Sequence, residues 1–312
     1  MKYFDLHCDT LFSIAHEGGS LLSRGGHLDL DRASRFEPYA QVFALFCGTE
    51  PLDDPESAHA LFQTLMTTAE QQFRLASDRL AHCRTADDFD RACASGKAAA
   101  FLSIEGAELL QSEPDIRTAA EAGVRIVTLS WNHDSCYACG AARSRRKGLT
   151  ERGRQLVGRL EREGMVFDVS HLSERGFWDL AEITGRPILA THSNSRAVRR
   201  HVRNLNDDQA REIFRRGGLV GLNCYVPFVT PDETASVRAL FPHIDHLMEL
   251  GGERCLALGA DFDGCDRLPE EIRDITGMQT LAEEMRRHGY AETLIDNLFF
   301  ENAARFVREY FT

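Results

Sequence analysis

Short apolar runs recur along the chain, separated by longer stretches in which apolar residues return with helical spacing. Such runs predict buried strands, and the longer stretches predict amphipathic helices. Eight runs have strand character: residues 2–9, 39–47, 98–105, 124–131, 165–171, 187–192, 218–225 and 254–261. Strands that alternate with helices form parallel sheets through right-handed crossovers, and eight of them favour a closed (β/α)8 barrel over an open sheet.

Capping residues mark several of the helices between these runs. Ser173 followed by Glu174 is typical of a helix start, and Asn206 with Gln209 three residues later has a capping-box pattern. Glycine- and serine-rich residues 18–26 and arginine-rich residues 143–147 are predicted loops. No linker interrupts the series, so we expect a single domain over residues 1–312. The predicted helical stretches are 55–82, 150–163, 173–184, 206–216, 234–250 and 279–309.

Charge and hydropathy exclude some function classes. The 312 residues carry a formal net charge of -12, and an acidic surface argues against nucleic acid or an anionic membrane as partner. No apolar run approaches the roughly 18 residues of a membrane helix, and the first residues lack the apolar segment of a signal peptide. We therefore expect a cytoplasmic protein.

Nine cysteines are scattered without the spacing of a disulfide framework, so we expect most to be reduced and buried. Cys136 and Cys139 form a CxxC pair. A zinc ribbon needs a second such pair, and none is visible, so we expect no structural zinc there.

Potential metal ligands and acid–base groups stand at the carboxyl ends of five runs, which is where a (β/α)8 barrel carries its reactive groups. Each group alone would be an ordinary polar strand end. Five of them at the same end of the same kind of element predict one shared site. The groups are His7 with Asp9, Glu105, Asp168 with His171, His192, and Asp261 with Asp263.

Three imidazoles and two carboxylates among these groups suit zinc or a similar first-row ion. They outnumber the three protein ligands of one open catalytic zinc, so we expect two ions about 3.5–4 Å apart. His7 and Asp9 would hold one ion, and His171 and His192 the other. Glu105 has the longer side chain and would bridge them. A hydroxide shared by both ions would be the nucleophile, because coordination lowers the pKa of water towards about 7.

Two aspartates remain at the end of the last run. We expect Asp261 to act as the acid–base group that takes a proton from the attacking water and passes it to the leaving amine. Asp263 lies further into the following loop, and we expect it to be structural.

Taken together, the motifs closely resemble the membrane dipeptidase (renal dipeptidase) family of metallopeptidases, in its bacterial branch. The resemblance runs from residue 4 to the carboxyl end. It implies a metal-dependent-hydrolase barrel with two zinc ions that cleaves dipeptides, in many members with a D-residue at the carboxyl side, and a possible homodimer. The motifs are His7-Cys-Asp9-Thr, Glu105-Gly, Phe167-Asp-Val-Ser-His171, Thr191-His192-Ser193 and Gly259-Ala-Asp261-Phe-Asp-Gly264.

The resemblance also implies substrate-binding residues. Arg203 matches the arginine that grips the terminal carboxylate, and a guanidinium suits that planar group. Tyr225 matches a substrate-lining tyrosine. The position of the substrate-polarising histidine of animal members falls on Trp131. We expect His133, two residues on and facing the same way if the strand continues, to reach the scissile carbonyl oxygen instead.

The segment 134–146 has no clear counterpart in the animal members. We expect it to form a rim loop that shapes substrate choice. The secretion and lipid anchor of the animal enzymes are not expected to transfer.

Two other functions stay open. One is another hydrolase on the same metal ligands, such as an N-acyl-D-amino acid deacylase or a lactam- or ester-cleaving enzyme. The other is a non-catalytic metal-binding barrel, which predicts a lost ligand, whereas all five ligands and Asp261 are present. The sequence also leaves open the physiological dipeptides, the stereochemical preference, the oligomeric state and the metal, since zinc, cobalt and manganese all fit.

Overall fold

A computed structural model describes residues 1–312 and contains one sheet of nine parallel strands. Eight strands follow one another in the order β7-β6-β5-β4-β2-β1-β9-β8. The short β3 pairs only with the first residues of β4. The strands are β1 (Tyr3–Cys8), β2 (Tyr39–Phe46), β3 (Leu80–His82), β4 (Ala98–Glu105), β5 (Val124–Thr128), β6 (Val166–Asp168), β7 (Ile188–Leu189), β8 (Val220–Leu222) and β9 (Leu256–Leu258).

The two ends of this row meet at a narrow seam. Ala190, just after β7, forms a parallel bridge to Val220 in β8, whereas β2 and β4 share seven paired residues. At the seam the backbones approach directly, because a Cβ atom at Gly221 or Gly259 would lie 2.0 or 1.7 Å from the carbonyl oxygen of Thr191. The sheet is therefore a nearly closed parallel barrel, and the predicted (β/α)8 fold is confirmed.

Helices cover the outside of the barrel, and none of them is both long enough and apolar enough to cross a bilayer. A π-helical turn, Asn297–Glu301, joins the last two. The helices are α1 (Thr10–Glu17), α2 (Leu30–Ala33), α3 (Pro55–Leu75), α4 (Ala86–Ala94), α5 (Glu113–Glu121), α6 (Glu151–Arg162), α7 (Glu174–Ile183), α8 (Asp207–Arg215), α9 (Val226–Val229), α10 (Phe241–Glu249), α11 (Gly277–Arg287), α12 (Glu292–Asp296) and α13 (Asn302–Tyr310).

The predicted helix starts rest on the capping residues that the sequence shows. The Ser173 side chain accepts a hydrogen bond from the backbone of Gly176 at the start of α7. Asn206 and Gln209 form a reciprocal capping box at the start of α8. Side chains that accept from otherwise unpaired helical N–H groups fix these boundaries.

Two predicted helical stretches are not single helices: residues 279–309 contain α11, α12 and α13, and the stretch 55–82 is too long. Residues 55–82 were expected to be helical, but α3 ends at Leu75 and residues 80–82 form β3. Ser77 and Asp78 lie in the turn between them. Their short polar side chains compete with helical hydrogen bonding and favour turns, and Leu80 then finds a partner in Ala98.

The barrel interior holds part of the smaller of two hydrophobic clusters, whose 20 buried residues include members of seven barrel strands and Leu219, just before β8. Phe4 and Phe101 stack there with ring centroids 5.8 Å apart, and residues of α13 complete the cluster. Because side chains alternate along a strand, Glu105 faces the same way as Phe101, four residues earlier in β4. Glu105 therefore points to the barrel axis above this plug.

Candidate active site

The five predicted metal ligands meet at the carboxyl end of the barrel, and none is more than 6% exposed. His7 is in β1, and Asp9 is the residue that precedes α1. Glu105 ends β4. His171 and His192 lie in the loops that follow β6 and β7. The strand ends thus bring side chains from four separate parts of the chain to one place.

The carboxylate of Glu105 lies between two groups of histidines. Its Oε2 is 3.5 Å from His7 Nε2. Its Oε1 is 2.8 Å from His171 Nε2 and 3.7 Å from His192 Nε2. On the first side, Asp9 Oδ2 is 3.4 Å from His7 Nε2. One carboxylate oxygen therefore faces each group, which is the arrangement that a bridging ligand between two ions requires.

The hydrogen bonds of His171 and His192 leave a nitrogen lone pair on each ring. His171 Nδ1 is 3.0 Å from Asn132 Oδ1, which can only accept. His192 Nδ1 is 2.8 Å from Thr191 Oγ1, whose own hydroxyl donates to Asp168. Both Nδ1 atoms are then the donors, and both Nε2 atoms carry a lone pair, 2.8 Å apart. This is the tautomer of metal-bound histidines whose other nitrogen is held by neighbouring groups.

The remaining ligand atoms also fit a metal. His7 Nε2 and Asp9 Oδ1 are buried and have no hydrogen-bond partner. Buried polar atoms without partners are rare in folded proteins, because they lose their water and gain nothing. Together with the lone pairs of His171 and His192, they form a set of ligand atoms of the kind that binds metal cations.

The electrostatics of the site lead to the same conclusion. Burial and the neighbouring Asp9 carboxylate raise the pKa of Glu105 to about 8. Burial opposes the charged form of His7, but Glu105 and Asp9 raise its pKa well above the usual range. Burial lowers the pKa of His171 and of His192. Divalent cations would keep the carboxylates ionised and the imidazoles neutral, as metal ligands must be.

Asp261 lies beside this group, in the loop after β9. Its Oδ1 is 3.8 Å from His7 Nε2, and its Oδ2 accepts a hydrogen bond of 3.0 Å from Asn223. Its backbone is left-handed, with φ of 65°, which is uncommon outside glycine and concentrates at functional sites. A Cβ at Gly264 would lie 2.1 Å from Asp9 Oδ2 and 2.5 Å from Asp261 Oδ1. A residue without a side chain is therefore needed where these two carboxylates converge.

Asp263 is engaged elsewhere. Its carboxylate accepts hydrogen bonds from Thr10 Oγ1 at 2.6 Å, from Arg24 Nη1 at 2.7 Å and from the backbone of His27 at 2.6 Å. It ties the glycine-rich loop before α2 to the end of the barrel, as expected of a structural residue.

A cleft of about 450 Å³ opens above these groups. Small-molecule sites commonly have this size, with apolar walls and a few convergent polar groups. Its floor includes Asp9, Glu105, His171 and Asp261, and its walls include Phe12, Phe46, Trp131, Tyr225 and Phe228.

Arg203 lies on the wall of the cleft and is 3% exposed. Its Nη2 is 2.9 Å from His171 Nε2, while Nε and Nη1 have no partner. The guanidinium lies over the ring of Phe228, 5.3 Å from its centroid. Tyr225 packs edge-on against the same ring at 4.9 Å. The cleft therefore contains a buried cation with two unused donor nitrogens.

His133 is not brought to the cleft. The expectation for it assumed that the strand continues, but β5 ends at Thr128 and the chain then bends. Trp131 and Asn132 line the cleft, whereas His133 is buried behind it. The Nε2 atom of His133 is 2.9 Å from Glu108 Oε1. Side chains two residues apart point to the same face only where the backbone is extended. The geometry therefore gives His133 no contact with a molecule in the cleft.

The segment 134–146 also lies elsewhere than expected. It contributes none of the residues that line the cleft. Instead the backbone N–H of Ala141 donates to the carbonyl of His171 at 2.8 Å, and Cys139 accepts from the backbone of Ser173. The segment supports the loop that carries His171 rather than forming the rim.

Two residues that sequence reasoning did not single out, and Asp168, which it named without a role, hold the site in place. Asn132 contacts His171, and Asn223 contacts Asp261. Asp168 accepts hydrogen bonds from Thr128, Ser170 and Thr191, and so joins the ends of β5, β6 and β7. Asn223 follows β8 directly, so a search for amides as well as acids and imidazoles at strand ends could have found it.

Comparison with known proteins identifies the chain. The sequence profile of the membrane dipeptidase family (Peptidase family M19) matches residues 1–311. The chain belongs to this family. The resemblance inferred from the motifs is confirmed, and with it the prediction of a metallo-dipeptidase enzyme.

Similar proteins with solved structures cover nearly all of the chain. One, described as dipeptidase AC, a metallopeptidase of the same family, is 30% identical, covers 100% of this chain and 99% of its own, and has a TM-score of 0.92. A metallopeptidase from Rhodobacter sphaeroides, solved with a phosphinate mimic of the dipeptide L-Ala-D-Ala, is 28% identical, covers 99% of both chains and has a TM-score of 0.91.

Among proteins similar in sequence, the dipeptidase tcpJ of Claviceps purpurea (strain 20.1) is 27% identical over 98% of this chain and 73% of its own.

Proposed function

We propose that this metallo-dipeptidase cleaves dipeptides at a pair of zinc ions and accepts a D-residue at the carboxyl side. One observation carries the metal pair: the Glu105 carboxylate lies between His7 on one side and His171 with His192 on the other. The similar metallopeptidase from Rhodobacter sphaeroides supports the proposed substrate class, because its bound phosphinate mimics the dipeptide L-Ala-D-Ala.

The proposed ligands are divided between the two ions according to their positions on either side of Glu105. His7 and Asp9 would hold one ion, His171 and His192 the other, and Glu105 both. When bound, such a pair supplies Lewis acidity that makes water nucleophilic near neutral pH and polarises a carbonyl group. The burial of all five side chains keeps bulk water from competing for them.

Asp261 is the proposed acid–base group. Its carboxylate borders the cleft floor, where it would accept a proton from the attacking water at Oδ1 and deliver it to the leaving amine. The Asn223 amide holds the other oxygen, Oδ2, and so orients the carboxylate. The left-handed backbone at this position fixes the direction from which it meets the substrate.

Arg203 is the proposed partner of the substrate carboxylate. Its Nε and Nη1 have no hydrogen-bond partner, and an N–H of either can donate to a carboxylate oxygen of the substrate. Tyr225 and Phe228 flank it and would contact the side chain of the carboxyl-terminal residue. A group that requires a free carboxylate one residue from the cut restricts cleavage to the last peptide bond of a substrate.

The test is a panel of L,L-, L,D- and D,D-dipeptides together with N-acetyl-D-amino acids, assayed with metal-loaded, metal-free and reloaded protein. We expect hydrolysis of L,L- and L,D-dipeptides that disappears on complete metal removal and returns with zinc. Activity that survives complete metal removal would refute the mechanism. Faster cleavage of N-acetyl-D-amino acids than of any dipeptide would favour the deacylase instead.

A further inference from the structure

A second group of potential ligands lies directly behind the cleft wall and takes no part in the proposed mechanism. Cys47, Glu108 and His133 are 2%, 1% and 4% exposed. One ligand atom from each lies within 4.8 Å of the others. We propose that these three residues bind a further metal ion of the zinc type, separate from the catalytic site, which ties together three loops of the barrel rim.

The buried polar atoms of this group are incompletely paired. His133 Nε2 contacts Glu108 Oε1, but Glu108 Oε2 and His133 Nδ1 have no hydrogen-bond partner. A carboxylate that is almost fully buried needs compensation by charge and by hydrogen bonds. A cation between the carboxylate, the imidazole and the sulfur would supply it.

The space between the ligands is kept open by a glycine. Gly106 has a φ of +95°, and a Cβ there would lie 2.2 Å from Cys47 Sγ and 3.2 Å from Glu108 Oε2. Any larger residue would displace the thiol. The chain therefore bends around the three ligand atoms at a conformation that side chains rarely adopt.

The ligand chemistry selects the ion. One thiolate, one imidazole and one carboxylate are borderline ligands that suit zinc and cobalt rather than magnesium or calcium. Zinc bonds of about 2.0–2.3 Å put tetrahedral ligands roughly 3.3–3.8 Å apart, so the observed group needs only a small contraction. Burial and Glu108 raise the pKa of the Cys47 thiol, so metal binding must release that proton.

The position gives the ion a structural role. Cys47 follows β2, Glu108 follows β4, and His133 lies in the loop after β5. Phe46 and Glu105, the last residues of β2 and β4, and Asn132, next to His133, line the cleft. The proposed site does not depend on the dipeptidase activity. An ion held by these three side chains would fix the spacing of the loops from behind the cleft.

Metal stoichiometry and cobalt spectroscopy test the proposal. Metal-free protein is titrated with Co²⁺, and only a site with a cysteine ligand gives a thiolate-to-cobalt charge-transfer band in the near ultraviolet. We expect this band in the wild-type protein and its loss in Cys47→Ser, which should also retain one zinc fewer per chain after dialysis. His133→Gln should have the same effect, and it serves as the second variant if Cys47→Ser does not fold.

Two controls separate this site from other cysteines. Cys265→Ser changes a thiol on the cleft beside Asp261, and Cys139→Ser changes the CxxC pair. Both should keep the band and the zinc content. Loss of the band in either control, or equal zinc content in wild-type and Cys47→Ser protein, would overturn the proposal and leave the three residues as a hydrogen-bonded group without metal.

Discussion

Replacing Arg203 by methionine tests how the enzyme recognises its substrate. Methionine fills a similar volume but offers no charge and no donor. Arg203 is 3% exposed, so its bond to a substrate carboxylate would form away from bulk water. Removing one partner of such a buried charge pair costs about 2–5 kcal/mol, which corresponds to a roughly 30- to 5,000-fold lower kcat/KM for a dipeptide.

The assay compares each dipeptide with its carboxyl-terminal amide. Wild-type enzyme should prefer the free acid by a factor within that range, and Arg203→Met should lose the preference because its rate on the amide changes little. Arg200→Met, at an exposed position on the same loop, is the matched control and should behave as wild type. Melting temperature and metal content are measured for each variant.

The contact between Arg203 Nη2 and His171 Nε2 makes one result decisive. If the variant loses the same factor on the acid and on the amide, the arginine acts through the histidine and not on the carboxylate. Our assignment of Arg203 as the group that binds the substrate would then be wrong.

Other changes probe the reacting groups and their supports. Asp261→Asn keeps the left-handed backbone but cannot accept a proton, so kcat should fall about 10²–10⁴-fold with metal content unchanged by elemental analysis; a rate near wild type would exclude Asp261 as the acid–base group. Gly264→Ala should weaken metal binding in a competition titration, since the methyl group meets both Asp9 and Asp261; unchanged affinity would contradict this geometry. Asp168→Asn should lower the melting temperature and metal affinity together, because it breaks the links between three strand ends. Chelation of the wild-type enzyme should also lower the melting temperature. The lost stability is about 2.7 kcal/mol for each site when the free metal concentration was a hundred times its Kd. A melting curve that does not depend on metal would argue against bound ions.

The sequence predicted the barrel and the meeting of five candidate ligands because both depend on short-range patterns. Each barrel strand is one of the eight apolar runs, and each ligand follows such a run or ends it. Strand ends were less predictable. After Leu189, for example, the Thr191 N–H turns from the strand ladder to the carboxylate of Asp168, and such side-chain acceptors stand far apart in sequence.

The same limit explains the expectation for His133. The predicted direction of the His133 side chain required β5 to continue, but β5 stops at Thr128. Nothing in the residues around Trp131 indicates the bend that brings Asn132 to His171. The nature of the metal, the single domain, the cytoplasmic location and the dimer stay predictions.

Because of the seam between β7 and β8, the two sides of the barrel differ in how many substitutions they tolerate. The β2–β4 wall is held by a long ladder of backbone pairs, which accepts many side chains. The wall that positions His192 is held by main-chain contacts at Gly221 and Gly259, where even a methyl group collides with Thr191. Efforts to diversify this enzyme should therefore vary the first wall, with Glu105 kept, and leave the second untouched.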